Sequence, residues 1–189
     1  MRPPVALLVD TRITPDALTM LRLATGLAAA LCFAHAGVLL EVGAGLFLLS
    51  ALLDRADGEL ARQSRRFSRF GPRFDLVSDC VATMAIFAGL GIGVRSMLPL
   101  PSEWQPIAGP LLGLSAAVSV GLTFTELSRS PPTGRVSRPF DPDDMMLLVP
   151  PVIWCGGAGW ILLASGLLTP LALLCVMTGR LRAWRHTGH

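Results

Sequence analysis

The sequence predicts an all-α polytopic membrane protein with six transmembrane helices, and its composition and the spacing of its apolar stretches carry that prediction. Of the 189 residues, 52% are hydrophobic and only 15% are charged, and the mean hydropathy is +0.58. A helix needs about 20 apolar residues to cross the core of a bilayer. Six stretches approach that length, at residues 17–36, 38–56, 75–98, 106–127, 145–165 and 167–184. The length fits one domain, so we expect residues 1–189 to form a single membrane domain that begins with a cytoplasmic or interfacial segment, residues 1–16.

Short breaks between these stretches predict three helical hairpins. Gly37 separates the first two stretches, the proline-rich segment 99–106 separates the third from the fourth, and Ser165-Gly166 separates the last two. Tight connections of this kind place consecutive helices antiparallel.

Two glycine pairs, Gly89-x3-Gly93 and Gly109-x3-Gly113, lie within the third and fourth stretches. No strand precedes them, so the spacing indicates close helix–helix packing and not a dinucleotide-binding loop.

The arginines predict the orientation of the chain in the membrane. All sixteen basic residues are Arg, and with both termini in the cytoplasm only Arg95 lies near the far surface. Positive residues concentrate on the cytoplasmic side of membrane proteins. The net charge of +3 therefore reflects topology and does not favour nucleic acid binding. The compact chain favours a bacterial inner membrane protein.

Four carboxylates lie where the second stretch ends and the third begins. Asp54 and Asp57 are three residues apart at the end of the second stretch, and Asp75 and Asp79 are four apart at the start of the third. Residues at these spacings share one helix face, so the hairpin predicts one pocket at the cytoplasmic ends of helices 2 and 3. A carboxylate at the centre of a membrane helix costs about 2.5–3.5 kcal/mol on insertion scales. Two divalent cations, Mg²⁺ or Mn²⁺, match both the charge and the hard oxygen ligands.

The pattern D-x2-D-G-x2-A-R-x8-G-x3-D-x3-D, which starts at Asp54, resembles the signature of the CDP-alcohol phosphatidyltransferase family of membrane phospholipid synthases. The resemblance implies transfer of a phosphatidyl group from CDP-diacylglycerol to a small alcohol, with release of CMP. It also implies a homodimer, metal binding by the four aspartates, and a role for Asp79 as the base that deprotonates the acceptor hydroxyl. Small side chains admit a ligand close to the helix backbone, and an arginine pairs with phosphate. The expected nucleotide-binding residues are Asp57, Gly58, Ala61, Arg62 and Gly71.

A weaker motif opens the first stretch. Residues 14–22, T-P-D-A-L-T-M-L-R, are similar to the family's P-N-x-[LI]-T-x-x-R, with Asp16 in place of Asn. Two interpretations stay open for Thr19 and Arg22: support of the active site, with a phosphate or aspartate as the partner of Arg22, or a capped helix whose Arg22 extends toward the cytoplasm.

The segment 128–144 carries Arg129, Arg135 and Arg138 on the same side of the membrane as the aspartates. These arginines are candidates for binding a phosphorylated acceptor, or they are topology signals beside anionic lipid. Three nearby aspartates would repel a phosphate, so neutral and cationic acceptors stay open.

Two other functions stay open beside phosphatidyl transfer. One is a phosphotransferase that takes a CDP-aminoalcohol as donor and diacylglycerol as acceptor, because the metal chemistry is identical. The other is a non-catalytic divalent-cation carrier or membrane scaffold. A carrier places acidic groups along a path near the bilayer midplane, whereas these four carboxylates gather at one end, which favours catalysis.

Overall fold

The computed structural model describes residues 15–64, 71–128 and 147–187. These residues form six α-helices and one short 3-10 helix, and the described ranges contain no strand, which confirms the all-α prediction. The elements in chain order are α1 (Pro15–Phe33), α2 (Val38–Ser64), α3 (Gly71–Gly93), the 3-10 helix (Arg95–Met97), α4 (Gln105–Ser128), α5 (Val149–Trp154) and α6 (Ala158–Thr187).

Helices α1 and α2 form the first predicted hairpin, and the turn lies where the sequence places it. Gly37 has a φ of 82°, a conformation that glycine adopts without steric cost. The amide of Leu40 donates to the carbonyl of Gly37 at 3.0 Å and starts α2. Helix α2 continues to Ser64, so the first half of the aspartate motif is helical.

Small residues let α1, α3 and α4 approach closely. A Cβ added at Gly113 of α4 would lie 2.6 Å from the carbonyl oxygen of Phe87 and 2.8 Å from the Cα of Gly91, both on α3. Gly89 and Gly93 leave no room for a Cβ either, because the backbone of α1 lies against them at Ala30 and Phe33. The predicted role of these glycines in helix packing is confirmed.

The core lies where α1, α2, α3 and α6 meet. Phe33, Leu90 and Leu162 are among the largest fully buried side chains, and the rings of Phe33 and Phe47 lie 6.5 Å apart. This packing fixes α1 between the two helices that carry the aspartates.

The predicted break at Ser165-Gly166 is wrong. Helix α6 runs without interruption from Ala158 to Thr187, and the break falls earlier, between α5 and α6, where Gly156 has a φ of 81°. Gly166 is a contact residue, because its carbonyl accepts a hydrogen bond from the Ser115 hydroxyl at 3.0 Å and an added Cβ would lie 2.6 Å from Leu112 of α4.

Three helices in the described ranges are long and apolar enough to cross a bilayer, and Ala17–Phe33 is a shorter apolar helix. Many large apolar side chains point outward, with Leu31 70% and Val38 76% exposed. A soluble monomer rarely exposes so much apolar surface. Together with the composition, this indicates an integral membrane protein. The three spans are Phe74–Gly93, Gln105–Glu126 and Ala158–Gly179.

Candidate active site

Three of the four predicted metal ligands lie close together beside the start of α3. Asp54 lies on α2, and Asp75 and Asp79 lie on α3. One carboxylate oxygen from each lies within 4.8 Å of the others. The side chains are each 36–42% exposed, so the cluster is open to solvent on one side.

The remaining motif residues lie on the same two helices. The segment 57–62 belongs to α2 and Gly71 begins α3, but the side chains of these residues lie outside the part of the chain that the structure describes. Asp57 is the fourth predicted metal ligand, and all five of these residues are predicted nucleotide contacts: Asp57, Gly58, Ala61, Arg62 and Gly71.

Arg22 of α1 joins the three carboxylates, and its side chain is only 3% exposed. Its Nη1 donates to Oδ1 of Asp54 and, at 2.8 Å, to Oδ1 of Asp75, and its Nη2 pairs with Oδ1 of Asp79. Of the two interpretations that the sequence left open, the structure selects an aspartate partner for Arg22. A buried guanidinium is stabilised when paired carboxylates replace its lost hydration.

The packing of α1 against its neighbours fixes the position of Arg22. The hydroxyl of Ser50 on α2 donates to the carbonyl of Arg22 at 3.0 Å. One turn further along α1, an added Cβ at Gly26 would lie 3.1 Å from the Cβ of Ala82 on α3. Thr19, one turn before Arg22, is 6% exposed. The three helices therefore hold Arg22 on the inner side of the carboxylates.

A pocket opens beside the carboxylates and has a polar end and an apolar end. Arg22, Asp54 and Asp79 line it, and two turns from the aspartates along α2 and α3 the lining residues are the apolar Phe47 and Ile86. Such a pocket admits a ligand with a charged group joined to an apolar body. The other lining residues are Ser50, Ala51, Arg55, Ala82, Thr83 and Phe124.

Three polar lining residues were not predicted from the sequence: Ser50, Arg55 and Thr83. Ser50 lies four residues before Asp54, and Thr83 lies four residues after Asp79. Residues four apart share a helix face, so helical spacing from the motif aspartates was the signal that would have found two of them.

The donor set fits a hard divalent cation. All three described ligands are carboxylates, and Mg²⁺ and Mn²⁺ prefer oxygen ligands while retaining several waters. The open side of the cluster leaves space for those waters or for a phosphate.

The predicted acceptor-binding arginines lie outside the described residues. Arg129, Arg135 and Arg138 all fall within residues 129–146, so their role stays a prediction.

Comparison with known proteins decides the family. The sequence model of the CDP-alcohol phosphatidyltransferases matches residues 12–137, a stretch that contains α1, both halves of the aspartate motif and α4. The chain belongs to the CDP-alcohol phosphatidyltransferase family. The aspartate cluster of α2 and α3 therefore lies inside the region that defines the CDP-alcohol phosphatidyltransferases.

Curated relatives within this family share about a third of the aligned residues. A bifunctional IPC transferase and DIPP synthase of Rubrobacter xylanophilus is 35% identical over 109 residues, which are 56% of this chain and 24% of that protein. The phosphatidylinositol phosphate synthase of Mycobacteroides abscessus is 36% identical over 88 residues, 47% of this chain and 40% of that protein. The corresponding synthase of Streptomyces avermitilis is 36% identical over 92 residues, 49% of this chain and 37% of that protein. The matched region thus spans well under half the length of these relatives.

Proposed function

We propose that this protein transfers a phosphatidyl group from CDP-diacylglycerol to the hydroxyl of a small alcohol and releases CMP. The observation that carries the proposal is the meeting of Asp54, Asp75 and Asp79 within 4.8 Å beside a pocket that is polar at one end and apolar at the other. The polar end suits a pyrophosphate with its cations, and the apolar side chains suit the diacylglycerol portion of a lipid.

In the proposed reaction the acceptor oxygen attacks the phosphorus that carries diacylglycerol. The bond from that phosphorus to the bridging oxygen of the pyrophosphate breaks, and the oxygen leaves with CMP. Asp79 accepts the proton of the acceptor hydroxyl, as general bases do when held within hydrogen-bond reach. Asp54, Asp57, Asp75 and Asp79 would hold two Mg²⁺ or Mn²⁺ ions, which stabilise negative charge on the attacking and leaving oxygens when bound.

Arg62 and the small residues near it are proposed to contact the nucleotide, because a planar guanidinium donates to phosphate through two parallel hydrogen bonds. Gly58, Ala61 and Gly71 would let the nucleotide approach the helix backbone.

The acceptor is proposed to be a polyol, with inositol phosphate as the first to be tested. Two relatives are phosphatidylinositol phosphate synthases. Arg129, Arg135 and Arg138 are the residues proposed to bind a phosphate on the acceptor.

The proposed topology has six transmembrane helices, both termini inside and the aspartates at the cytoplasmic face of a bacterial inner membrane. Arginine placement supports this orientation. A homodimer is also proposed, from the family resemblance alone, because the glycine pairs of α3 and α4 pack within the chain and do not supply a dimer surface.

The experiment that tests the proposed function is CMP release by the purified protein in detergent with CDP-diacylglycerol and Mg²⁺. The acceptor panel contains inositol phosphate, glycerol phosphate, inositol and glycerol. The lipid products are separated and identified by mass spectrometry. Release of CMP only from a CDP-aminoalcohol with diacylglycerol would favour the alternative donor. A cation carrier would release CMP from neither.

A further inference from the structure

Arg22 contacts carboxylates that belong to two different helices. Its Nη1 donates to Asp54 of α2 and to Asp75 of α3, and its Nη2 pairs with Asp79 one turn further along α3. Each contact uses one oxygen, Oδ1, of its carboxylate. The contacts leave Oδ2 of Asp75 and Oδ2 of Asp79 outside the pairing with Arg22.

Arg22 is buried more deeply than the three carboxylates that it contacts. Arg22 is 3% exposed, whereas the three carboxylates are 36–42% exposed. The guanidinium therefore lies behind the carboxylates, and the carboxylates lie between it and the solvent. The hydrogen bond from Ser50 to the carbonyl of Arg22 and the close approach of Gly26 to Ala82 keep this part of α1 in place.

We propose that Arg22 is a positioning residue for the metal ligands: it binds Oδ1 of Asp54, Asp75 and Asp79, and so orients Asp75 and Asp79 to offer their second oxygens to a divalent cation. This inference rests on the proposed function, because that function supplies the cation. Three carboxylates this close repel one another, and the fixed fork of donors on a guanidinium holds several oxygens at once. Groups that hydrogen-bond to metal ligands orient them, and their loss typically weakens metal binding about 10- to 100-fold.

A competing role for Arg22 predicts the opposite change in metal affinity when Arg22 is removed. If the guanidinium occupied the position of the metal, the metal would have to displace it, and removal of Arg22 would strengthen metal binding. The burial of Arg22 behind the carboxylates supports the positioning role, because displacement would require the side chain to leave an enclosed site.

The test measures Mn²⁺ binding to the full chain in nanodiscs from the electron paramagnetic resonance signal of free Mn²⁺. Arg22→Gln should weaken Mn²⁺ binding about 10- to 100-fold, and Arg22→Lys should weaken it less, because an ammonium retains the charge without the planar fork. Arg95→Gln is the matched control, since Arg95 lies in the 3-10 helix after α3. The Arg95→Gln variant should bind Mn²⁺ as the wild type does. In CMP release, Arg22→Gln should need more Mn²⁺ for half-maximal rate and recover turnover as Mn²⁺ is raised.

Equal or tighter Mn²⁺ binding by Arg22→Gln overturns the positioning role, as does lost turnover with unchanged Mn²⁺ binding. If Arg22→Gln does not fold, as judged by its thermal unfolding and particle size, the same criteria apply to Arg22→Lys. A wild-type protein that neither binds Mn²⁺ nor releases CMP overturns both this inference and the proposed function. A wild type that does both, beside an Arg22→Gln variant with unchanged binding, overturns the inference alone.

Discussion

Nη1 of Arg22 donates to Oδ1 of Asp75 at 2.8 Å, which connects the first helix to the third across 53 positions of sequence. The same nitrogen contacts Asp54 of the second helix. One guanidinium thus joins the three helices that build the candidate active site. The aspartate motif is therefore not a self-contained hairpin, because three of its carboxylates contact a residue outside it.

Removal of a single metal ligand should abolish turnover. Asp75→Asn replaces a charged oxygen by a neutral amide in a cluster whose ligand atoms lie within 4.8 Å of one another. We expect undetectable CMP release and weakened Mn²⁺ binding, and the same for Asp54→Asn and Asp57→Asn. Glu103→Gln is the control, because Glu103 lies in the connection before α4 and should keep full activity. Full activity of Asp75→Asn, or of the wild type in excess chelator, would refute the metal requirement.

Asp79→Asn should reduce turnover more than it reduces nucleotide affinity. An asparagine keeps the shape of the side chain but cannot accept the proton of the acceptor, and loss of a general base typically lowers the rate about 10²- to 10⁴-fold. Single-turnover kinetics with CDP-diacylglycerol, together with a separate binding measurement for CDP, would distinguish the two effects. Normal turnover by the Asp79→Asn variant would show that Asp79 is not the general base.

Arg129, Arg135 and Arg138 should affect a different substrate from Arg62. Arg129→Gln, Arg135→Gln or Arg138→Gln should raise the KM for a phosphorylated acceptor about 10- to 100-fold, the loss expected for a charge-assisted hydrogen bond. Arg62→Gln should instead weaken binding of the nucleotide. Steady-state kinetics in which each substrate is varied in turn would measure both. Unchanged acceptor kinetics in all three variants of the segment 128–144 would indicate an unphosphorylated acceptor.

Two glycine-to-alanine substitutions should change the unfolding temperature differently, because one glycine packs against another helix and the other does not. Gly113→Ala would place a Cβ 2.6 Å from the Phe87 carbonyl oxygen, so the unfolding temperature should fall. Gly45→Ala is the matched control, because its added Cβ would meet no atom of another element within 4 Å and alanine favours a helix by about 0.5–1 kcal/mol over glycine. Thermal unfolding in detergent would measure both, and a Gly113→Ala variant as stable as Gly45→Ala would contradict the packing.

The sequence predicted the all-α class and the first hairpin because apolar length is a strong signal for membrane helices. Motif spacing also predicted that the carboxylates of α2 and α3 would meet. The break at Ser165-Gly166 was wrong because a glycine in a helix serves equally as a turn or as a contact. Here Gly166 packs on Leu112, and only the position of α4 decides between the two.

The sequence could not decide between the two interpretations of Arg22 for a similar reason. A lone arginine one turn inside an apolar stretch fits a snorkelling side chain as well as a buried ion pair. The choice depends on how closely α1 approaches α3, which the small residues Gly26 and Ala82 permit. Tertiary contacts of this kind carry no local signal around the arginine itself.

The most direct test of the account is CMP release from CDP-diacylglycerol by the purified full chain, with and without Mg²⁺, in the presence of the acceptor panel. We expect CMP and a phosphatidyl-alcohol in equal amounts with Mg²⁺, and neither product in chelator or with Asp75→Asn. A folded wild-type protein that forms no CMP with any acceptor, while its aspartate cluster binds Mn²⁺, would contradict the proposed transfer.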